Sequence, residues 1–115
     1  MDEAPTLFPP RESFDRWLES LVPDKAVAYH QWGCGDCPLA QWLMKTEALH
    51  NPYIRPDPDG PGKSFWRDQH GNFGALPGWA NQFGLAVDKA YRGAGSVSAA
   101  QCLKILRKIK PQENG

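Results

Sequence analysis

The sequence is short of cysteine, of net charge and of extended apolar segments, and each shortage closes off a class of function. Three cysteines in 115 residues are an odd set, ill suited to the disulfide framework of a small secreted domain. Thirteen Lys+Arg against thirteen Asp+Glu leave a formal net charge of zero. That balance excludes both a uniformly basic nucleic-acid binder and a uniformly acidic DNA mimic. No apolar run approaches the roughly 20 residues of a membrane span. The first ten residues, MDEAPTLFPP, are acidic and Pro-rich, unlike the positively charged start of a secretory leader. The expectation is a soluble cytoplasmic protein with no membrane contact.

Turn-formers and aromatics are plentiful. Eleven Gly and eleven Pro assign a large share of the chain to turns and loops. Five Trp, five Phe and three Tyr must then supply much of the core, because aromatic rings bury the most area per residue. With 41% hydrophobic and 23% charged residues, one modest core and a single domain over residues 1–115 are expected. The zero net charge conceals an asymmetry. Residues 1–60 carry ten acids and five bases, a net of −5, and residues 61–115 carry three acids and eight bases, a net of +5. Either the two halves attract as the domain closes, or the surface has one acidic and one basic face.

Residues 1–11 read as an irregular arm, because Pro5, Pro9 and Pro10 block regular pairing. A first helix should follow, capped by Ser13, with Phe14, Trp17, Leu18 and Leu21 on one stripe. Residues 26–30 suit a strand or an extended lead-in. Pro38 suits the first position of a second helix, which makes Cys37 its N-cap, and Leu39, Trp42, Leu43 and Thr46 continue inward. The stretch NPYIRPDPDGPG at 51–62 reads as a Pro/Gly-rich surface loop. The residues on either side of Asp68-Gln69-His70-Gly71 are compatible with a small hairpin. Pro77 should open a third helix, weakened by Gly84. Ser98 and Gln101 match a capping box for a fourth, with Cys102, Ile105, Leu106 and Ile109 buried. Pro111 stops it, and residues 112–115 should fray. The fold class expected is α+β and mainly helical, with about four helices and a small two- or three-stranded β element.

Gln31-Trp32-Gly33-Cys34-Gly35-Asp36-Cys37 is the chemically richest stretch and supports four readings. A cysteine at a helix N-terminus has its thiolate stabilised by the unpaired N–H groups there. Gln31, Gly33, Cys34, Gly35 and Cys37 also resemble the active-site segment of papain-like cysteine proteases. That resemblance implies Cys37 as nucleophile and Gln31 as oxyanion donor, with His50 or His70 as base and Asn72 or Asn81 as its orienter. Pro38 stands where that family has an aromatic residue. The stretch is similar, too, to a thioredoxin-type dithiol, in which Cys34 would attack. His30, Cys34 and Cys37 have spacings that suit three zinc ligands, with Cys102, His50 or His70 as a fourth. In the fourth reading the thiols are small buried hydrophobes. That structural reading is carried forward, with no cofactor expected.

Cys37-Pro38-Leu39-Ala40-Gln41-Trp42-Leu43 resembles a segment of small proteins from phages and bacterial mobile elements. Those proteins place an amphipathic helix before it and an aliphatic helix near the C-terminus. The resemblance implies a phage-type accessory protein in a bacterial host cytoplasm. Compact proteins of that setting include inhibitors of host defence, anti-CRISPR proteins among them, that occupy a surface on a large nucleoprotein complex. A binding surface of this kind needs a few aromatic or Arg anchors in a polar rim. Tyr53, Arg55, Phe65, Trp66 and Arg67 lie in or beside Pro/Gly-rich segments, where they can project. Lys104, Arg107, Lys108 and Lys110 make a basic row on the last helix. The partner expected is a protein, and any contact with nucleic acid would be local and salt-sensitive. A small cysteine hydrolase is the alternative.

Overall fold

A computed structural model describes residues 8–29, 37–46, 52–59, 63–68, 71, 73–91, 93 and 95–109. Among these residues four helices and five strands follow in the order α1 (Arg11–Glu19), β1 (Ala26–Tyr29), α2 (Pro38–Thr46), β2 (Tyr53–Arg55), β3 (Phe65–Arg67), β4 (Phe73–Ala75), α3 (Gly78–Tyr91), β5 (Ser96–Ser98) and α4 (Ala99–Lys108). The strands form two antiparallel sheets, one pairing β1 with β5 and one in the order β2-β3-β4. The fold is therefore α+β and mainly helical. None of the described helices is long and apolar enough to cross a membrane.

Helix α1 forms on its apolar stripe. Phe14 and Leu18 are fully buried, and Trp17 and Leu21 pack against the core from its edge. Its start corrects the expectation for Ser13. Pro10 occupies the N-cap in extended backbone, with no side-chain cap, and the Ser13 N–H donates to the Pro10 carbonyl at 3.0 Å. Helix α4 begins as its capping box requires. The Gln101 N–H donates to Ser98 Oγ at 3.2 Å, and the Ser98 N–H donates to Gln101 Oε1 at 2.9 Å. The two helices run antiparallel. Arg11 Nη2 reaches the Leu106 carbonyl at 2.7 Å, while at the other end the Ala100 N–H donates to the Pro23 carbonyl at 2.9 Å.

Strand β1 carries a register shift between Ala26 and Ala28. An extra residue in one strand turns consecutive side chains the same way, and here both Val27 and Ala28 are buried while Tyr29 points outward. The core is aromatic at its centre. The Phe14 ring lies 4.8 Å from Trp42 and 5.0 Å from Phe83, and Trp79 and Phe8 close around Trp42 at 6.2 and 5.8 Å.

One expectation fails in the middle of the chain. Residues 51–62 are not all surface loop: Tyr53–Arg55 is a strand, and Pro52 and Ile54 are buried. Pro52 and Pro56 flank this strand rather than interrupt it, as a residue without an N–H must. The Pro56-Asp57 segment then lies on α3. A Cβ placed on Gly84 would sit 2.7 Å from Pro56 Cγ, so the glycine allows the two backbones to approach. Gly71 turns the hairpin between β3 and β4 with a φ of 86°, and its N–H donates to the Asp68 carbonyl at 3.2 Å. Residues 1–7 of the expected arm and residues 112–115 of the expected frayed tail lie outside the described residues.

Candidate functional site

Side chains alternate across a strand, and the three-stranded sheet sorts its residues accordingly. Ile54, Trp66 and Gly74 are opposite one another and face the core. Ile54 is fully buried, Trp66 is 2% exposed, and the Trp66 indole covers Gly74, where a Cβ would stand 3.3 Å from Trp66 Nε1. The other face holds two rows, Tyr53-Arg67-Phe73 and Arg55-Phe65-Ala75. Arg55, Arg67, Phe73 and Ala75 are exposed, and Tyr53 and Phe65 are half-buried. None of these six positions is acidic.

Three aromatic rings and two guanidinium groups thus share one small face. Arg67 lies over the Tyr53 ring, with Cζ 4.5 Å from the centroid. Tyr53 and Phe65 stack at 5.9 Å with planes 22° apart. A guanidinium on a ring gains about 0.5–1 kcal/mol at an exposed site and loses much of its rotational freedom in advance of any contact. Phe73, across the strand from Arg67, has no such partner among the described rings and is 74% exposed. Aromatic and Arg side chains of this kind dominate binding energy at protein surfaces.

Of the residues expected to bind a partner, Tyr53, Arg55 and Arg67 come together here. Trp66 does not: it is a core residue, because it alternates with Phe65 and Arg67 and takes the inward position. Phe73 is the exposed ring of this face that sequence reasoning missed. Its signal was the two-residue period, which puts Phe73 and Ala75 on one side of Gly74. The basic row on α4 lies apart from this face. Arg107 is tied to α1, with Nε and Nη2 donating to the Asp15 carboxylate at 3.1 and 2.8 Å and Nη2 to Glu19 Oε2 at 2.7 Å. The Arg107 hydrogen bond holds the Asp15 carboxyl below its usual range against a weaker opposing effect of burial, and the carboxylates raise the pKa of Arg107 in turn. Lys104 and Lys108 are exposed. Beside them a groove of about 360 Å³ between α1 and α4 is floored by Leu18, Leu21 and Leu103 and carries no aromatic side chain.

The thiol site is only partly covered by the described residues. Cys37 is half-buried at the start of α2, and its carbonyl accepts from the Gln41 N–H at 2.9 Å. That is the first intrahelical bond an N-cap residue makes. Cys102 is fully buried. Its thiol pKa is pushed up to about 12, by burial first and by the nearby Cys37 second, which leaves Cys102 a protonated, weakly nucleophilic thiol at neutral pH. Asn81 does not stand free to orient a base. Its Oδ1 accepts from the Asp57 N–H at 2.8 Å and its Nδ2 donates to the Asp57 carbonyl at 3.1 Å. Gln31, His30, Cys34, His50, His70, Asn72 and Lys110 lie outside the described residues. Among the described residues no group of three His, Cys, Asp or Glu is placed to hold a metal.

No family model, curated protein or solved structure matches this chain. The site is therefore argued from its own chemistry.

Proposed function

We propose that this protein is a phage- or mobile-element-type binding protein. In this reading it acts in a bacterial host cytoplasm and inhibits a host defence complex, in the manner of an anti-CRISPR protein, by covering a working surface of that complex. The resemblance of Cys37–Leu43 to small phage proteins supplies the setting. The outer face of the β2-β3-β4 sheet, with Phe73 exposed beside the Arg67-Tyr53-Phe65 stack, supplies the physical means.

The sheet face is a better anchor than α4. Arg107 already has two carboxylate partners, and a partner's acids would have to displace them. Arg67 is held by the Tyr53 ring and has no carboxylate partner among the described residues, so its fork of donors can meet a partner's acceptors.

The test is phage plating on a host with an active CRISPR system. Expression of the chain should restore plaques, and Phe73→Ala or Arg67→Glu should abolish that effect while leaving the fold intact by circular dichroism. Cys37→Ala should leave it unchanged. A well-folded Cys37→Ala variant without activity, beside a fully active Phe73→Ala, would overturn the proposal in favour of the cysteine hydrolase.

A further inference from the structure

We infer that the outer face of the three-stranded sheet takes single-stranded nucleic acid, such as the strand a defence nucleoprotein carries. The inference rests on the reading of this face as the binding surface and names its ligand.

Single-stranded binding without strong sequence preference combines aromatic rings, on which bases stack, with cations that follow the backbone. Both are present at adjacent positions. Neighbouring strands lie about 4.8 Å apart, so three strands offer a platform about 10 Å wide, room for two or three nucleotides. Phe73 stands on the edge strand with its ring in solvent, and a base laid on it would remove that apolar surface from water. Arg67 is directly across from Phe73, and Arg55 is directly across from Phe65. Each guanidinium is thus within reach of a phosphate whose base lies on the adjacent ring. Ala75 leaves the corner beside Phe65 and Phe73 low, so a ring can lie there without collision.

An acidic peptide fits less well. Carboxylates would use the two arginines and leave Phe73 in water. A duplex fits less well again, because its charge density calls for a broad basic surface and the chain's net charge is zero.

The experiment is fluorescence anisotropy with a labelled oligouridine of about 15 nucleotides, the upper end of common site sizes. Two phosphate contacts on a single strand give a slope of about −1.4 in log affinity against log salt. Affinity should therefore fall about sevenfold between about 50 and about 200 mM. Arg67→Ala should remove one contact and reduce that fall to less than about threefold. Phe73→Ala should weaken binding about fivefold or more at any salt, with the slope unchanged. Tyr29→Ala removes a ring that is 67% exposed on the other sheet and should change nothing.

Two results overturn the inference: no binding at about 50 mM salt, or polyglutamate of equal charge displacing the oligonucleotide at equal concentration. If the oligonucleotide fails to bind but Phe73→Ala still abolishes inhibition of the defence complex, the face remains the binding surface and only its ligand is wrong. If neither readout depends on Phe73, both readings fall together.

Discussion

Replacing Gly84 with alanine sets two effects against each other, and the sign of the result tells which governs the middle of the chain. Gly84 lies inside α3, where alanine is favoured over glycine by about 1 kcal/mol. On propensity alone Gly84→Ala stabilises the protein by that amount. The added Cβ, however, would stand 2.7 Å from Pro56 Cγ and 3.3 Å from Pro56 Cβ. The proline ring cannot swing aside as a flexible side chain would. Its segment is also fastened one turn earlier on the same helix face by the two Asn81–Asp57 hydrogen bonds of 2.8 and 3.1 Å. Restoring ordinary contact at 3.4 Å needs a shift of 0.7 Å, the difference between 3.4 and 2.7, and a shift of that size weakens those bonds. Overpacking of this kind costs about 1–3 kcal/mol. The net expectation is a loss of up to about 2 kcal/mol once the helix gain is subtracted, read as a lower urea midpoint at unchanged slope. In an Asn81→Ala background the segment can yield, so the same substitution should cost about 1 kcal/mol less. A Gly84→Ala variant more stable than the parent by about 1 kcal/mol would refute the close approach of Pro56 to α3.

Neighbouring residues of the sheet should behave oppositely. Trp66→Ala empties a buried site and should cost about 3–5 kcal/mol, while Phe73→Ala should stay within about 0.5 kcal/mol; equal losses in urea denaturation would mean that Phe73 also packs inward. The depressed pKa of Asp15 makes its pair with Arg107 a stabilising contact above the ordinary aspartate value of 3.8. That contribution is lost as pH falls through the lower folded value. Asp15→Asn should therefore flatten the acid side of a stability–pH profile and change its slope little near neutrality, and an unchanged acid limb would count against the pair. Ser98→Ala removes the oxygen that accepts from the Gln101 N–H and should cost about 1 kcal/mol, with Ser98→Asp recovering most of it; no loss on thermal melting would mean that the cap contributes nothing.

What could be read from the chain in advance divides by the distance between interacting residues. The stripe of α1 and the capping box of α4 need only residues three or four positions apart, and both stand where sequence periodicity puts them. Gly71 turns a hairpin whose strands are its own neighbours. Strand β5 escaped notice because the alternation in Ser96-Val97-Ser98 is only three residues long, and the segment becomes a strand only against β1, some seventy residues earlier. Strand β2 was hidden by its flanking prolines, which mark loops in general but here mark the two ends of a three-residue strand. The start of α1 was misplaced for a related reason. Ser13 is a good cap by type, but the preformed backbone of Pro9-Pro10 lets the helix begin three residues earlier with no side-chain cap.

The outer face of the three-stranded sheet shows why charge along the chain was a poor guide to charge in space. The acidic first half and basic second half do meet, and Arg107 is one place where they do so, 92 positions from Asp15 and 88 from Glu19. That tie takes Arg107 out of the basic row on α4 and leaves Lys104 and Lys108 exposed. The arginines that remain open on the sheet come one from each half: Arg55 from the acidic half and Arg67 from the basic half. They are neighbours only because β2 and β3 pair antiparallel in the register that sets Tyr53 against Arg67. A shift of one residue in either strand would carry that strand's outward side chains to the core side. In β3 it would bury Phe65 and Arg67 and expose Trp66. The inward fit of Ile54 and Trp66 over Gly74 therefore selects the register, and the outward array of rings and guanidinium groups follows from it. The site is specified from beneath, by core residues that touch no partner.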